Sequence, residues 1–276
     1  MSRVVLLRRA PALVVDAPRL DAEQRGVLDL RAPLVRVLGA PGTGKTTTAV
    51  ELVVDRVVRG GLAPDECLLL TSTRVAAARL RERVTTRLAR TSTEALARTH
   101  QAFGFGLLRQ AAALRGDETP RLISGPEQDV VLRELLAGHE RGDAPRPPWP
   151  AHLEPALDKR GFRSELRDLL MRAVEHGIEA DALAELGREH GRPEWVAAAQ
   201  VLTEYDEVTA FSRPGAYDPA WILTAAADLL EDDEQARARM AAEVRLVVVD
   251  DAQELTSAAA RLLRAVTGAG ADLVLL

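Results

Sequence analysis

The segment from Gly39 to Thr46 carries residue types that can bind a chain of phosphates. Its glycines allow backbone N–H groups to close around an anion at the start of a helix. The Lys45 ammonium would reach the β- and γ-phosphates, and the Thr46 hydroxyl would ligate Mg²⁺. The residues expected at this phosphate loop are Gly39, Ala40, Pro41, Gly42, Thr43, Gly44, Lys45, Thr46 and Thr47.

Lysine is rare in this chain, which makes Lys45 informative. Only Lys45 and Lys159 are lysines among the 36 basic residues, and the others are arginine. A lysine inside the loop therefore indicates a need for a compact ammonium group. The alternative is an accidental glycine turn in front of a threonine-capped helix.

A pair of carboxylates supplies the second group of chemical interest. Asp250 and Asp251 follow the apolar run Leu246–Val249. Parallel sheets bind ligands at the carboxyl ends of their strands, so Asp250 can hold the Mg²⁺ that Thr46 also contacts, and Asp251 can orient or deprotonate the attacking water. The alternative is that the two acids cap the next helix.

These groups require a sheet that places strand ends beside one another. Strand-like runs alternate with helical periodicity, which favours a parallel α/β sheet. From about Ser124 to Phe211 the strand signal disappears and the spacing is helical, which predicts an all-helical insertion. The expected strands are Leu34–Leu38, Cys67–Thr71, Val244–Val249 and Asp272–Leu276, with an edge strand at Ala12–Val15. The expected flanking helices are Ala22–Arg31, Lys45–Arg59, Arg74–Arg90 and His100–Leu114.

The composition is that of a globular protein. The 276 residues are 47% hydrophobic and carry a net charge of -5, so nucleic-acid contacts must be local. No apolar run approaches the roughly 20 residues of a membrane span, and no signal peptide is recognisable, so we expect a cytoplasmic protein without membrane contact. The single cysteine, Cys67, is expected to be a small buried residue.

Five segments in order resemble the motifs of UvrD/Rep-type superfamily-one ATP-dependent DNA helicases. They are LDAEQ at Leu20–Gln24, the phosphate loop, LLLTSTRVAAARLRERV, RTHQAFGFGLLR and VVVDDAQE. They are similar to the adenine-reading Q motif, the phosphate loop itself, motif Ia, motif Ib and motif II. The resemblance implies a RecA-like P-loop sheet flanked by helices, with an all-helical insertion. It divides the first motor domain into residues 1–115 and 214–276, separated by the insertion at 116–213.

The resemblance also assigns roles to single residues. On the nucleotide side they are Gln24 for adenine, Lys45 and Thr46 for phosphate and Mg²⁺, Asp250 for Mg²⁺, Asp251 for water and Gln253 for the γ-phosphate. The residues expected to contact a single DNA strand are Thr71, Thr73, Arg74, Thr99, His100 and Phe103.

Two groups near the expected DNA track have plainer interpretations. Phe103 and Phe105 can stack on bases, or they can pack a helix face into the core. The helix after motif Ia is rich in arginine, and such a stripe is either a solvated face or a set of phosphate contacts. Its arginines are Arg74, Arg79, Arg81, Arg83, Arg87 and Arg90.

The chain departs from the family pattern at three places. Motif II has Asp251 where the family usually has glutamate, so hydrolysis can be weaker. Thr47 stands where an arginine often stacks on the base, so adenine contacts can be looser. Motif Ia has Ser72, Arg74 and Val75 at otherwise typical positions. The Asp-Asp-Ala-Gln form is most similar to AdnB-type subunits of actinobacterial helicase-nuclease complexes, which implies a partner helicase-nuclease subunit.

The resulting hypothesis is an ATP- and Mg²⁺-dependent motor that moves 3′ to 5′ on single-stranded DNA in repair or recombination. The chain ends at ADLVLL, before the second motor domain of the family, so we expect an N-terminal part with little hydrolysis of its own. Two alternatives stay open. One is a degenerate motor that holds nucleotide as a structural subunit. The other is a P-loop kinase whose helical insertion is a substrate lid.

Overall fold

The structure, a computed structural model, describes residues 17–88, 96–213, 215–268 and 270–276. The edge strand expected at Ala12–Val15, and Arg90 at the end of the basic helix, lie outside these residues. Among the described helices, none combines the length and the apolar character needed to cross a membrane.

The described ranges contain helices and short strands. The helices are α1 (Ala22–Asp29), α2 (Lys45–Val58), α3 (Arg74–Leu88), α4 (His100–Arg115), α5 (Gly125–Arg141), α6 (Arg160–Glu175), α7 (Ala180–Glu189), α8 (Pro193–Ser212), α9 (Ile222–Asp232), α10 (Glu234–Glu243) and α11 (Ser257–Thr267). The strands are β1 (Leu34–Arg36), β2 (Cys67–Thr71), β3 (Ala97–Thr99), β4 (Arg121–Leu122), β5 (Ala216–Tyr217), β6 (Leu246–Val249) and β7 (Asp272–Leu275).

The first of two compact units contains a parallel sheet. It comprises the described residues up to Thr99, together with Arg239–Glu254 and Thr267–Leu276. The strand order is β1-β7-β6-β2-β3, and every neighbouring pair is parallel. The predicted α/β P-loop fold is confirmed. Because the strands are parallel, their carboxyl ends share one edge, where the phosphate loop and the two aspartates emerge.

Helix α2 anchors the phosphate loop because its apolar side packs into the core of this unit. Ala49, Leu52 and Val53 are fully buried in one cluster with Leu69 of β2 and Val248 of β6. Cys67 is also buried there, as expected, and burial raises the pKa of its thiol to about 12.

The side chain of Arg56 joins α2 to α1. It is buried, and its guanidinium donates to the carbonyl oxygens of Leu28 at 2.8 Å and Leu30 at 2.6 Å. These carbonyls lie at the end of α1, where a helix leaves backbone acceptors without partners. Arg56 therefore fixes the helix that carries Gln24 to the helix that follows the phosphate loop.

The second unit is mainly helical and comprises His100–Ala238 and Leu255–Val266. From Ser124 to Phe211 it contains α5–α8 and a short 3₁₀ turn but no strand, which confirms the helical interpretation of that segment. The unit is longer than the expected insertion because α4 packs closely along α9. A Cβ at Gly104 would lie 3.2 Å from Ile222 Cγ2, so glycine permits this approach.

Candidate functional site

Two glycines give the phosphate loop its shape. Gly42 and Gly44 have φ angles of 82° and 86°, a left-handed conformation that side-chain-bearing residues rarely adopt. Gly44 is also the N-cap of α2, so the loop turns directly into the helix. A Cβ at Gly39 would lie 2.6 Å from Thr43 Oγ1. The loop is thus a tight backbone turn at a helix N-terminus, as an anion site requires.

Lys45 lies back across this loop. Its Nζ donates to the carbonyl oxygens of Gly39 at 2.8 Å and Ala40 at 3.3 Å. The ammonium group is therefore held beside the loop backbone and does not extend along α2. This places the lysine charge where the sequence predicts phosphates to bind.

Thr46 and Asp250 are brought together from opposite ends of the sequence. Thr46 Oγ1 donates to the carboxylate at 2.9 Å from Oδ2 and 3.1 Å from Oδ1. Asp250 follows β6 and is 3% exposed, and its N–H donates to the Leu70 carbonyl at 2.9 Å. Burial raises the pKa of Asp250, the bond from Thr46 opposes that rise, and Asp251 adds to it.

This pair of oxygen ligands fits Mg²⁺. The ion prefers oxygen ligands, and it is commonly held by one or two protein groups together with phosphate oxygens and water. The described residues contain no cluster of three or more histidine, cysteine or acidic side chains suited to a metal. Thr46 and Asp250 form a pair of one hydroxyl and one carboxylate that could hold the ion at this edge of the sheet.

Asp251 is the one described residue other than glycine with a positive φ, 60°. Aspartate tolerates this left-handed conformation better than most residues because its short side chain bonds locally. Its Oδ1 accepts from Gln253 Nε2 at 3.2 Å, and the 3₁₀ turn Ala252–Glu254 follows. Asp251, which is predicted to contact the attacking water, thus accepts a hydrogen bond from Gln253, which is predicted to contact the γ-phosphate.

Gln24 contacts the phosphate loop directly. Its Nε2 donates to the Thr43 carbonyl at 3.1 Å, and its Oε1 accepts from Asp21 N–H at 3.1 Å. Asp21 Oδ1 in turn accepts from Gln24 N–H at 2.8 Å, so the pair forms a capping box at the start of α1. The amide keeps a second N–H and a second lone pair, which can pair with a nucleobase.

Arg83 of α3 lies on the nucleotide side of the unit. The sequence analysis names this arginine but does not predict its orientation. Its Nη2 donates to Thr47 Oγ1 at 3.0 Å, and its charge offsets a small part of the rise that burial causes in the pKa of Asp250. Arg87, one turn later on α3, pairs with Glu51 of α2 at 2.7 Å. Two arginines of the basic stripe therefore face α2. The charge pattern alone gave no signal of this orientation.

These arginines also line a cavity of about 470 Å³. Its other walls include Pro18, from the segment before α1, and Val50 of α2. The cavity borders the same face of α2 that carries Thr47. A guanidinium from α3 thus stands beside the position where the family often has an arginine.

A family model, the UvrD/REP helicase N-terminal domain, matches residues 20–276. The chain belongs to this family. The match begins at Leu20 and includes the phosphate loop and the strand end with Asp250. No curated protein matches the chain. The match confirms the UvrD/Rep resemblance and shows a helicase motor domain.

Within this UvrD/REP domain, the predicted DNA residues of the sheet lie at strand ends. Thr71 and Thr99 end β2 and β3 and are paired in register. Thr71 is fully buried, and its Oγ1 has no hydrogen-bond partner among the described residues. Thr73 Oγ1 accepts from Ala76 N–H at 3.1 Å at the start of α3, and Arg74 beside it is exposed.

The two predicted DNA residues on α4 are both buried. His100 is 8% exposed, its Nε2 has no partner among the described residues, and burial lowers its pKa to about 4. The imidazole is therefore neutral at pH 7. Phe103 is 5% exposed, which agrees with the core-packing alternative for this side chain.

Proposed function

We propose that this chain is the ATP-binding motor domain of a UvrD-like helicase that translocates 3′ to 5′ on single-stranded DNA in repair or recombination. The observation that carries the proposal is the bond between Thr46 and Asp250, whose residues are 204 positions apart. It joins the phosphate loop to the end of a different strand. Two groups of this kind are what a Mg²⁺-nucleoside triphosphate needs from a P-loop protein.

The residues around this bond would each have a separate role in ATP hydrolysis. Lys45 would pair with the phosphates, while Thr46 and Asp250 would hold Mg²⁺, which neutralises charge on the phosphate oxygens when bound. Asp251 would orient the attacking water and accept its proton. Gln253, bonded to Asp251, would report the presence of the γ-phosphate to that carboxylate.

The base would be recognised by groups beside the loop. Gln24 offers one free N–H and one free lone pair of its amide, which suits the donor and acceptor edge of adenine. Arg83, held against Thr47, offers a planar cation that can stack on a base. Arg83 of α3 would therefore take the base-stacking role of the arginine that the family often has at position 47.

The DNA strand would run across the carboxyl edge of the sheet. Thr71 has a buried hydroxyl without a partner among the described residues, and such a group is costly unless a ligand or water satisfies it. Thr73, Arg74 and Thr99 lie at the same strand ends. If these contacts with DNA changed with the bound nucleotide, the domain would move stepwise along the strand.

A nucleotide assay distinguishes this proposal from its two alternatives. ADP release is measured with Mg²⁺-ATP or Mg²⁺-GTP, in the presence and absence of a single-stranded oligonucleotide, in a protein that joins this chain to a second motor domain of the family. Stimulation by DNA with a preference for ATP supports the motor. ATP binding without any ADP release favours the structural subunit, and DNA-independent transfer to a small acceptor favours the kinase. Equal ATP and GTP affinities would contradict adenine recognition by Gln24.

A further inference from the structure

A groove between α5 and α6 lies in the helical unit, and none of its lining residues belongs to the predicted nucleotide or DNA sites. Its volume is about 470 Å³. We call it the α5–α6 groove. The lining residues that matter most are Pro126, Asp129 and Val130 of α5, and Arg160, Arg163 and Arg167 of α6. One wall is therefore basic, and the other is apolar except for a single acid.

That acid is a fixed part of the groove. Asp129 pairs with Arg163, whose Nε lies 2.8 Å from Oδ1 and whose Nη2 lies 3.2 Å from Oδ2. Arg163 is 9% exposed and also donates to the Asp158 carbonyl at 2.9 Å. The hydrogen bonds from Arg163 hold the pKa of Asp129 below its usual range, so this carboxylate is charged at pH 7. It repels an unbroken row of negative charges, but its remaining lone pairs can accept from an amide N–H.

The other two arginines are available to a ligand. Arg160 is exposed, and its side chain forms no ion pair with the described residues. Arg167 pairs with its neighbour Asp168 at 2.8 Å, but that carboxylate is 60% exposed, and such pairs contribute little free energy. A Cβ added at Gly125 would lie 3.8 Å from Arg167 Nη1, which places this guanidinium beside the first turn of α5. Both charges can therefore pair with carboxylates of a partner.

The opposite wall offers an apolar contact. Pro126 and Val130 lie one turn apart on α5, with Pro126 exposed and Val130 half-buried. Neither belongs to the hydrophobic core cluster of the helical unit. Burial of an apolar side chain against them is favourable, whereas a chain of phosphates gains nothing from this contact. The mixture of charged, accepting and apolar groups thus suits a peptide better than a nucleic acid strand.

The spacing of the two available arginines indicates the conformation of that peptide. Arg160 and Arg167 are seven residues apart on α6, about 10 Å along the helix axis. A polyproline-II segment advances roughly 9 Å in three residues and then presents the same face again. Two carboxylates three positions apart therefore reach both arginines, and the residue between them points to another side, toward α5.

We propose that the α5–α6 groove binds a polyproline-II segment of a partner protein that carries two acidic side chains three positions apart and an apolar side chain between them. Arg160 and Arg167 each pair with one carboxylate. The apolar side chain packs on Pro126 and Val130, and a peptide N–H donates to Asp129. The inference goes beyond the proposed function, because none of these contacts involves nucleotide or DNA. The groove gives the helical unit a site for a protein partner.

The test is fluorescence anisotropy of a labelled peptide of eight residues with the whole chain at 50 mM salt. The peptide has aspartate at its third and sixth positions, leucine at the fourth, and prolines and serines elsewhere. We expect a Kd below about 100 µM. Arg160→Ala/Arg167→Ala should weaken binding roughly 10- to 30-fold, because two partly exposed ion pairs are lost. Val130→Thr should weaken it about 4-fold, because a buried methyl group becomes a hydroxyl.

The matched control removes the same charge from exposed arginines of the same unit outside the groove. Arg172→Ala/Arg188→Ala should bind the peptide as tightly as wild type. A peptide of the same composition with adjacent aspartates should bind more weakly. A Kd above about 100 µM for the wild type, equal losses in the two alanine pairs, or equal affinity for the two peptides would overturn the proposal.

Competition separates a peptide site from a nucleic-acid site. The unlabelled peptide should displace the labelled one at a lower concentration than a single-stranded oligonucleotide of the same net charge. Displacement by the oligonucleotide at the lower concentration would contradict the proposal, because it would show that the groove selects phosphates. Since the peptide assay contains no ATP, its result is independent of the proposed nucleotide site.

Discussion

Replacing Thr46 by valine tests the bond that joins the phosphate loop to the carboxylate after β6. Valine keeps the branched shape but removes the hydroxyl that donates to Asp250 at 2.9 Å. Asp250 is 3% exposed, so water cannot readily replace this donor. A hydrogen bond to a charged group contributes about 1.5–3 kcal/mol. We therefore expect the free energy of unfolding to fall by about 2 kcal/mol, roughly a 30-fold change in the folding equilibrium.

A double-mutant cycle with Asp250→Asn measures the part of that bond's free energy that depends on the carboxylate charge. Burial raises the pKa of Asp250, so the charged carboxylate lowers stability at pH values above this raised pKa, and asparagine removes that cost. In the asparagine background a neutral bond remains, and Thr46→Val should cost only about 1 kcal/mol. The expected coupling free energy is therefore about 1 kcal/mol.

Urea denaturation of the four proteins at pH 7 measures this cycle. The single and double variants should unfold with similar dependence on urea concentration, because none of them changes the surface that is buried. Additive effects of the two substitutions, or an unchanged stability in Thr46→Val, would refute the claim that the hydroxyl stabilises a buried carboxylate.

Three shorter predictions concern backbone conformation and pH. Asp251→Gly should raise the free energy of unfolding by about 1 kcal/mol relative to Asp251→Ala, since glycine accepts a φ of 60° without strain; equal stabilities in urea would contradict this. Gly44→Ala should cost about 1–2 kcal/mol in the same assay and displace Gln24 Nε2, which lies 2.6 Å from the added Cβ; an unchanged stability would contradict it. His100, with a pKa of about 4 when folded and 6.5 when unfolded, contributes stability that is lost as the pH falls from 6.5 to 4. Between pH 7 and pH 4, the free energy of unfolding should therefore fall by up to about 3 kcal/mol less in His100→Gln than in the wild type. Equal falls in the two proteins would contradict the claim that burial lowers the pKa of His100.

The parallel sheet was largely predictable because its strands are apolar and its loop motif is specific. The strand Cys67–Thr71 and the start of α2 at Lys45 agree with the sequence-based expectation. The three residues of β3, however, are too few for a hydrophobic period to identify. Their pairing with β2 depends on contacts distant in sequence.

The sequence names candidate residues for the nucleotide side of the site, but it does not indicate their contacts. Sequence placed Thr46 and Asp250 at a common Mg²⁺ site, and the structure brings them within hydrogen-bonding distance. The position of Arg83 against Thr47 could not be predicted, because a run of arginines does not indicate which of them faces a neighbouring helix. The left-handed backbone of Asp251 likewise arises from the chain path after β6.

The second unit groups the predicted helical segment with neighbouring elements of the chain. The helical character of Ser124–Phe211 followed from its periodicity, whereas the unit itself begins at His100 and continues to Ala238. Its additional members, α4 and α9, pack together through Gly104, whose small size is a requirement of tertiary packing. Sequence periodicity identifies helices, but it does not identify the neighbour on which each one packs.

The central claim is that Lys45 and its loop bind the phosphates of ATP, and a calorimetric titration with Mg²⁺-ATP tests it most directly. The chain supplies a matched control, because Lys159 is its other lysine and its Nζ pairs with Asp158 at 2.6 Å, distant in sequence from the loop. We predict that Lys45→Ala abolishes measurable binding while Lys159→Ala binds ATP as tightly as wild type. Equal affinities of all three proteins, or no binding by the wild type, would contradict the account.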